Sequence, residues 1–542
     1  MKIVIVGAGT AGWIAASTFK RKHPEAEVVI LHDPKIKTMG GVGETLVWNM
    51  PRFFHDVLGL TGCREWMKRS QATFKTGVKY HNLGRLGYEY GSSYSPDLSA
   101  EWLYNNNKKY DDMKYFLFDK RLFSDKGTLL QIWLKLKSEG KYDDIIKDFP
   151  KGLSEMHYFS DNETSIISKD GEWLTNPLMG HSFHYNAEVV GTVIGDLVAK
   201  PLGVKEVHGN VKHVVNGPQG IDHLILENGD KVEGDLFIDC SGFKKILAKT
   251  LPFKWKSSDE YSNNSSLVRP MFYDGTKDRG RYLHNRTFFH GHKSGWSFSV
   301  PLLHRTGNGY TFNTRITPDI DEIADEFNAF LGPKKSDEPD LRLIQWESGY
   351  NETFMVGNCM VMGLALGFID PYASNNLAAT TQILTKIFDS DCFGQYMRKE
   401  RDLDSIRNEL NDFSKKIWDH IAVRVQYIFR CTERDDSEYW KTLKRVGVES
   451  GLRQHIKDYV SDTDRMSKYG TTSILHAYLL AAGRINLELP PPNINLDAET
   501  ERLFIEYFKN NMITNEQKAK NSMPIEEFYK HFYSDEFPNK DI

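Results

Sequence analysis

Three stretches of this chain hold residue types that could do chemistry together. The first is GAGTAG at residues 7–12, between a short apolar run and a helical pattern. Its spacing, G-x-G-x-x-G, is frequent by chance, so its context carries the information. Gly7 permits a tight turn, Gly9 lets the backbone approach a pyrophosphate, and Gly12 lets the helix pack close to the strand. Thr10, Ala11 and Trp13 complete a helix N-terminus suited to an anion. The acid expected on the dinucleotide ribose is Asp33, slightly later than the usual spacing and beside His32.

The second stretch is ATFKTGVKY at residues 72–80, with Lys75 and Lys79. On a strand through 73–80 both lysines share one face, so alternation does not choose between them. An amine buried beside a redox cofactor would have a lowered pKa and could act as a nucleophile. The third stretch is GLALGFIDPYASNN at residues 363–376. Its apolar run stops at Asp370 and Pro371, and Ser374, Asn375 and Asn376 stand where helix caps stand. It is either an ordinary turn or a helix start that holds an anion.

The elements that must position these residues follow an α/β grammar. Residues 2–6, 13–22 and 27–31 read as strand, helix and strand. Residues 85–180 are polar, aromatic and irregular, which suggests an insertion. Residues 186–200 read as a helix, 205–228 as strands, and 280–315 alternate as strands do. Residues 377–485 are mainly helical, up to a proline-rich stop at 488–493, and a last helix follows around 498–511. A strand ends at Asp239 and Gly242, far downstream of the glycine loop. With the segment at 363–371, three strand-and-turn segments in order favour FAD over a nicotinamide cofactor.

At 542 residues the chain is long for one domain, and its 40% hydrophobic content can build a large core. A formal net charge of −4 gives no pull toward nucleic acid or anionic membrane. Five scattered cysteines without a CxxC argue for a reducing compartment and against a disulfide framework or metal site. No signal peptide or membrane span is expected.

The chain resembles the flavin-dependent tryptophan halogenases over most of its length. GAGTAGW with Trp13, GVGET with Gly41, Val42 and Glu44, and ATFKTGVKY occur in the family's order. They are followed by HSFHYNA, DLFIDCSG, SGWSFSVP and RCTERDDSEYW. The ordered set is specific where a lone glycine loop is weak. The resemblance implies a glutathione-reductase-type FAD-binding domain with a mixed-sheet insertion and a mainly helical C-terminal cap. The boundaries would be a box over 1–376, an insertion at about 85–180 and a cap over 377–542. Departures from the family pattern suggest a divergent, phage-encoded member, located in the cytoplasm of its host.

The resemblance also implies a reaction. Reduced FAD from a separate flavin reductase, with O2 and halide, yields hypohalous acid. This passes to a lysine, which directs electrophilic halogenation of a small aromatic substrate. The family pattern maps the reactive lysine to Lys75. Gly7, Gly9, Thr10, Ala11, Gly12, Trp13, Asp33, Gly41, Val42, Asp239, Gly242 and Asp370 would meet the cofactor. Ser374, Asn375 and Asn376 would meet the halide, with Trp296, Phe298 and Pro301 as the pocket wall. The glutamate that acts as an acid in the tryptophan enzymes falls on Ala373. Glu44 or Asp370 would have to replace it, and free tryptophan is not the expected substrate. Bromide or iodide and electron-rich phenols or indoles suit the altered site. A flavin monooxygenase that does not use halide, and a non-catalytic flavoprotein, are the alternatives. A homo-oligomer is compatible with the sequence, and no nucleic-acid or membrane partner is expected.

Overall fold

The computed structural model describes residues 1–36, 45, 50–87, 89–93, 129–146, 155–178, 180–275, 282–452, 454, 491, 493–539 and 542. The apolar run KIVIV leaves no polar face, and such a strand is stable only with both faces covered. It forms β1 (Lys2–Val6), buried from Ile3 onward. The sheet order is Met355–Val356, Cys359–Val361, Leu236–Asp239, β1, β2 (Glu27–His32) and Lys205–His208. All neighbours are parallel except the first pair. Parallel pairing needs crossovers, and the helix α1 (Thr10–Lys22) makes the first one.

Small residues let α1 sit close to the sheet. Gly12, Ala15 and Ala16 are buried, and Lys20, Arg21 and Lys22 in the last turn complement the helix dipole. A Cβ on Gly12 would lie 1.9 Å from the Gly7 carbonyl oxygen. Gly7, at φ +109°, would carry a Cβ 2.4 Å from the Cys240 carbonyl oxygen. Both glycines are therefore required by backbone approach.

A second sheet of seven strands runs Arg342–Gln345, Ser265–Phe272, Arg305–Phe312, Gly295–Pro301, Arg286–Gly291, Gly77–His81 and Glu89–Ser93. The continuous strand expected over 73–80 is broken. At Thr76 the backbone N–H donates to the Asn285 carbonyl at 2.7 Å. Thr73–Lys75 pairs instead with Ser182–His184, while Gly77–His81 joins the seven-stranded sheet. The helix expected from 186 begins at Val190, because Asn186 first makes a turn with its side chain on the Glu188 N–H. The described part of 377–485 is helical as expected, in Asn375–Ser390, Cys392–Met397, Leu403–Arg430 and Glu438–Glu449. The last long helix, Ala498–Lys520, extends beyond the expected stop. Among the described residues no helix is long and apolar enough to cross a membrane.

One buried apolar cluster takes in both ends of the chain, from Ile3 to Ile542. The C-terminal helix Ile525–Phe532 packs Phe528 and Phe532 against Phe74, at ring distances of 6.1 and 5.9 Å. Its Tyr529 hydroxyl accepts the Phe74 N–H at 2.5 Å. The end of the chain thus clamps the short strand that carries Lys75. Truncating the fully buried Phe532 to Ala is expected to cost about 3–5 kcal/mol. Phe330→Ala, on a residue 46% exposed, should stay within about 0.5 kcal/mol. Urea unfolding of the two variants checks both values.

Candidate active site

The nucleotide cradle forms where three neighbouring parallel strands end. The Gly7 N–H donates to the Leu31 carbonyl and the Cys240 N–H donates to the Val6 carbonyl, each at 2.9 Å. The Met362 N–H donates to the Asp239 carbonyl at 3.0 Å. A Cβ on Gly363 would stand 2.8 Å from Ala11 Cβ, so the third segment touches the glycine loop. Gly9 precedes α1 with extended backbone, and the first turn, with Thr10, Ala11 and Gly12, has no acidic residue to repel a phosphate. This glycine-lined cradle, closed to any Cβ at positions 7 and 12, fits a dinucleotide pyrophosphate.

The other expected cofactor residues divide. Asp33 is half-buried and accepts from the Lys35 N–H and Asn210 Nδ2, both at 2.9 Å, which hold its carboxyl below the usual range. Gly242, at φ +69°, begins a 3-10 turn with open space where a Cβ would be. Asp239 is fully buried and organises its own loop. Its oxygens accept from the N–H groups of Ser241, Leu247 and Ala248 and from the Ser241 hydroxyl. Trp13 faces away from the cradle into the core. A Cβ on Gly195 would lie 2.7 Å from the Trp13 ring, and Trp13 is only 2% exposed. Gly41, Val42 and Glu44 lie outside the described residues.

The two lysines are distinguished by burial. Lys79 is part-exposed and forms an ion pair with Glu89 at 2.6 Å. Lys75 is 1% exposed, and its Nζ donates to Thr45 Oγ1 at 2.6 Å. Burial pushes the Lys75 amine down to about 7. His184, opposite Thr73 on the paired strand, is held neutral by burial and then by the Lys75 charge. Its ring nitrogens meet Thr73 Oγ1 at 3.1 Å and Thr287 Oγ1 at 3.0 Å.

Thr45 also joins the lysine to the 363–376 turn, because the Ser374 hydroxyl donates to the Thr45 carbonyl. Ser374 adopts φ +53° and does not cap the helix with its side chain. Asn375 begins that helix, buried, with its Oδ1 accepting from Arg424 and its Nδ2 without an acceptor among the described residues. Asn376 Nδ2 donates to the Gly367 carbonyl at 2.6 Å. No acidic residue lies in the first turn.

Asp370 is buried on the other side of the turn. Asn263 Nδ2 and the Tyr372 N–H each donate to it at 2.9 Å. Burial raises its carboxyl to about 6 against these hydrogen bonds. Asn263 Oδ1 in turn accepts the Tyr439 hydroxyl at 3.0 Å. A cavity of about 420 Å³ borders Asp370, Asn263, Tyr439 and Phe429. Trp296, fully buried, packs against Phe289, Tyr372 and Phe429 at 5.1 to 6.2 Å. Phe298 lies over Gly309, where a Cβ would approach its ring to 2.2 Å. The Pro301 carbonyl accepts the Thr73 hydroxyl at 2.9 Å, so this residue supports the lysine strand.

Sequence reasoning passed over Thr45, His184 and the Tyr80–Tyr372 hydroxyl pair at 2.6 Å. Thr45 was visible as the last residue of GVGET, but nothing local shows which side chain it meets. A lysine whose pKa is lowered on folding penalises the folded state most below pH 7, and the penalty fades toward the ordinary value of 10.5. Lys75→Met should therefore be more stable than the parent, with the largest gap at pH 6 and little at pH 10. Urea midpoints across that range check the sign.

The tryptophan halogenase family profile matches residues 2–475. Tryptophan 7-halogenase RebH of Lentzea aerocolonigenes is 28% identical over 469 residues, covering 84% of this chain and 81% of that protein. The structure of a tryptophan halogenase from Shewanella frigidimarina superposes with a TM-score of 0.81 at 19% identity, covering 99% and 98% of the two chains. Tryptophan 6-halogenase SttH of Streptomyces toxytricini gives 0.78 at 22% identity, covering 98% and 99%. With a profile match across most of its length, this chain belongs to the tryptophan halogenase family, flavin-dependent halogenases that use reduced FAD, oxygen and halide.

Proposed function

We propose that this enzyme halogenates electron-rich phenols or indoles through Lys75, and that free tryptophan is not its preferred substrate. The observation that carries this reading is the linkage of buried Lys75 through Thr45 to Ser374 at the start of a helix. Bound reduced FAD, with O2, supplies the oxidising equivalent that turns halide into hypohalous acid. The glycine loop and Asp33 hold the nucleotide end, within a glutathione-reductase-type domain over 1–376 that carries the insertion at 85–180. The helices of 377–542 cap it, and a separate reductase delivers the reduced cofactor.

Backbone N–H groups at Asn375 and Asn376 bind the halide, since such donors do not depend on side-chain type. The buried Nδ2 of Asn375, without an acceptor among the described residues, adds a donor. With its amine near pH 7, Lys75 is substantially neutral at neutral pH and nucleophilic. Its nitrogen takes the halogen from hypohalous acid and water leaves. The substrate ring then takes the halogen, and its displaced proton returns to the lysine nitrogen. Trp296 and Phe298 wall the path from the flavin.

Ala373 cannot serve as the acid that the tryptophan enzymes place there. Asp370, with its carboxyl near 6, or Glu44 takes that role. The weaker activation favours bromide or iodide over chloride.

A reductase-coupled assay over three halides with phenols, indoles and tryptophan should give bromide-dependent halogenated products. Hydroxylated product regardless of halide would identify a monooxygenase instead, and better turnover of tryptophan with chloride would overturn the substrate reading. With a thioether scavenger present to remove free hypohalous acid, Lys75→Ala should lose at least about 100-fold in product while still oxidising reduced FAD. If Asp370 is the acid, parent turnover should fall as pH rises through about 6. Asp370→Asn should remove that limb, and intact turnover in both Asp370→Asn and Glu44→Gln would rule the replacement acids out.

A further inference from the structure

We infer that His32, Glu206 and His208 form a binding site for a borderline divalent cation, such as Zn2+ or Ni2+, at the open edge of the six-stranded sheet. The site lies outside the halogenation machinery. The parallel register sets His32 of β2 directly beside His208 of the edge strand Lys205–His208. Glu206, two residues before His208, lies on the same face of that strand. One ligand atom from each of the three side chains lies within 4.8 Å of the others.

The two imidazoles already meet at one carboxylate oxygen. His32 Nε2 is 2.7 Å from Glu206 Oε1, and His208 Nε2 is 3.3 Å from the same oxygen. The imidazoles stand edge to face, with centroids 5.3 Å apart. Ligands about 2.0–2.1 Å from a tetrahedral zinc lie about 3.3 Å from one another. Small side-chain rotations would bring these groups there. Two imidazoles and one carboxylate suit zinc, nickel or cobalt, whereas magnesium and calcium prefer oxygen ligands alone. The His208 side chain is 60% exposed, which leaves water free to complete the coordination sphere.

The charges facing this group are compatible with a cation. Glu206 is the acidic member of the group, and Lys200 is the cation paired with it. Lys200 lies 3.3 Å from Glu206 Oε2 and 3.0 Å from Asp196 Oδ1. It can therefore keep Asp196 when Glu206 turns to the metal. Occupancy would fasten the edge strand to β2, just before Asp33. No sequence spacing announces the site, because His32 and Glu206 are 174 residues apart.

Calorimetric titration of the full chain, without a polyhistidine tag, with Zn2+ and Ni2+ tests the inference. One equivalent should bind. His208→Ala and Glu206→Gln should each weaken binding at least tenfold, while exposed His213→Ala leaves it unchanged. One equivalent of Zn2+ should raise the melting temperature of the parent and not of His208→Ala. Melting of the metal-free variants reports whether they fold. With Co2+, the absorption spectrum should lack a thiolate charge-transfer band. Equal affinity in all the variants, a thiolate band, or no binding tighter than about 100 µM would overturn the assignment.

Discussion

Lys75 is a primary amine placed where water does not reach it, and the site is arranged around that constraint. Moving its pKa from 10.5 to about 7 corresponds to a penalty on the order of 5 kcal/mol against the charged form. That is a large fraction of the stability of an ordinary domain, so the surrounding packing must be strong enough to sustain it. The hydrogen bond to Thr45 offsets a part of it. What remains is a chemically useful amine, neutral enough near pH 7 to attack an electrophile.

The fold sustains this burial by making the lysine strand short and enclosed. The break at Thr76 separates Thr73–Lys75 from the strand Gly77–His81, where Lys79 is part-exposed. The short strand is then covered by Ser182–His184 on one edge and by Tyr529, Phe528 and Phe532 from the C-terminal helix. Residues several hundred positions apart thus set the chemistry of one amine. His184 is kept neutral first by its own burial and then by repulsion from the Lys75 charge.

The turn at 363–376 does two jobs on its two sides. Asp370 closes a buried network with Asn263 and Tyr439, and a cavity borders it. Ser374 reaches the opposite way to Thr45 and the lysine. The left-handed backbone at Ser374 lets the chain turn between them, directly before the helix begins. Ala373 lies within this turn, so the departure from the family pattern falls between the buried acid and the candidate halide site.

The sequence by itself determined the opening strand–helix–strand unit, the glycine loop, the mainly helical stretch that begins near residue 377 and the family. These are local patterns or ordered motifs, and their physical causes act within a few residues. Lys75 was nameable only through the family pattern, because alternation set it level with Lys79. Only the tertiary structure separated them, since burial is a property of everything packed around a side chain. The same holds for Trp13, whose place next to the glycine loop suggested the cofactor but whose ring fills the space left by Gly195. It holds for Asp239, committed to its own loop, and for Thr45, whose partners come from two distant segments. Local sequence specifies backbone conformation. Desolvation and hydrogen-bond partners are decided by which distant segments the fold brings together.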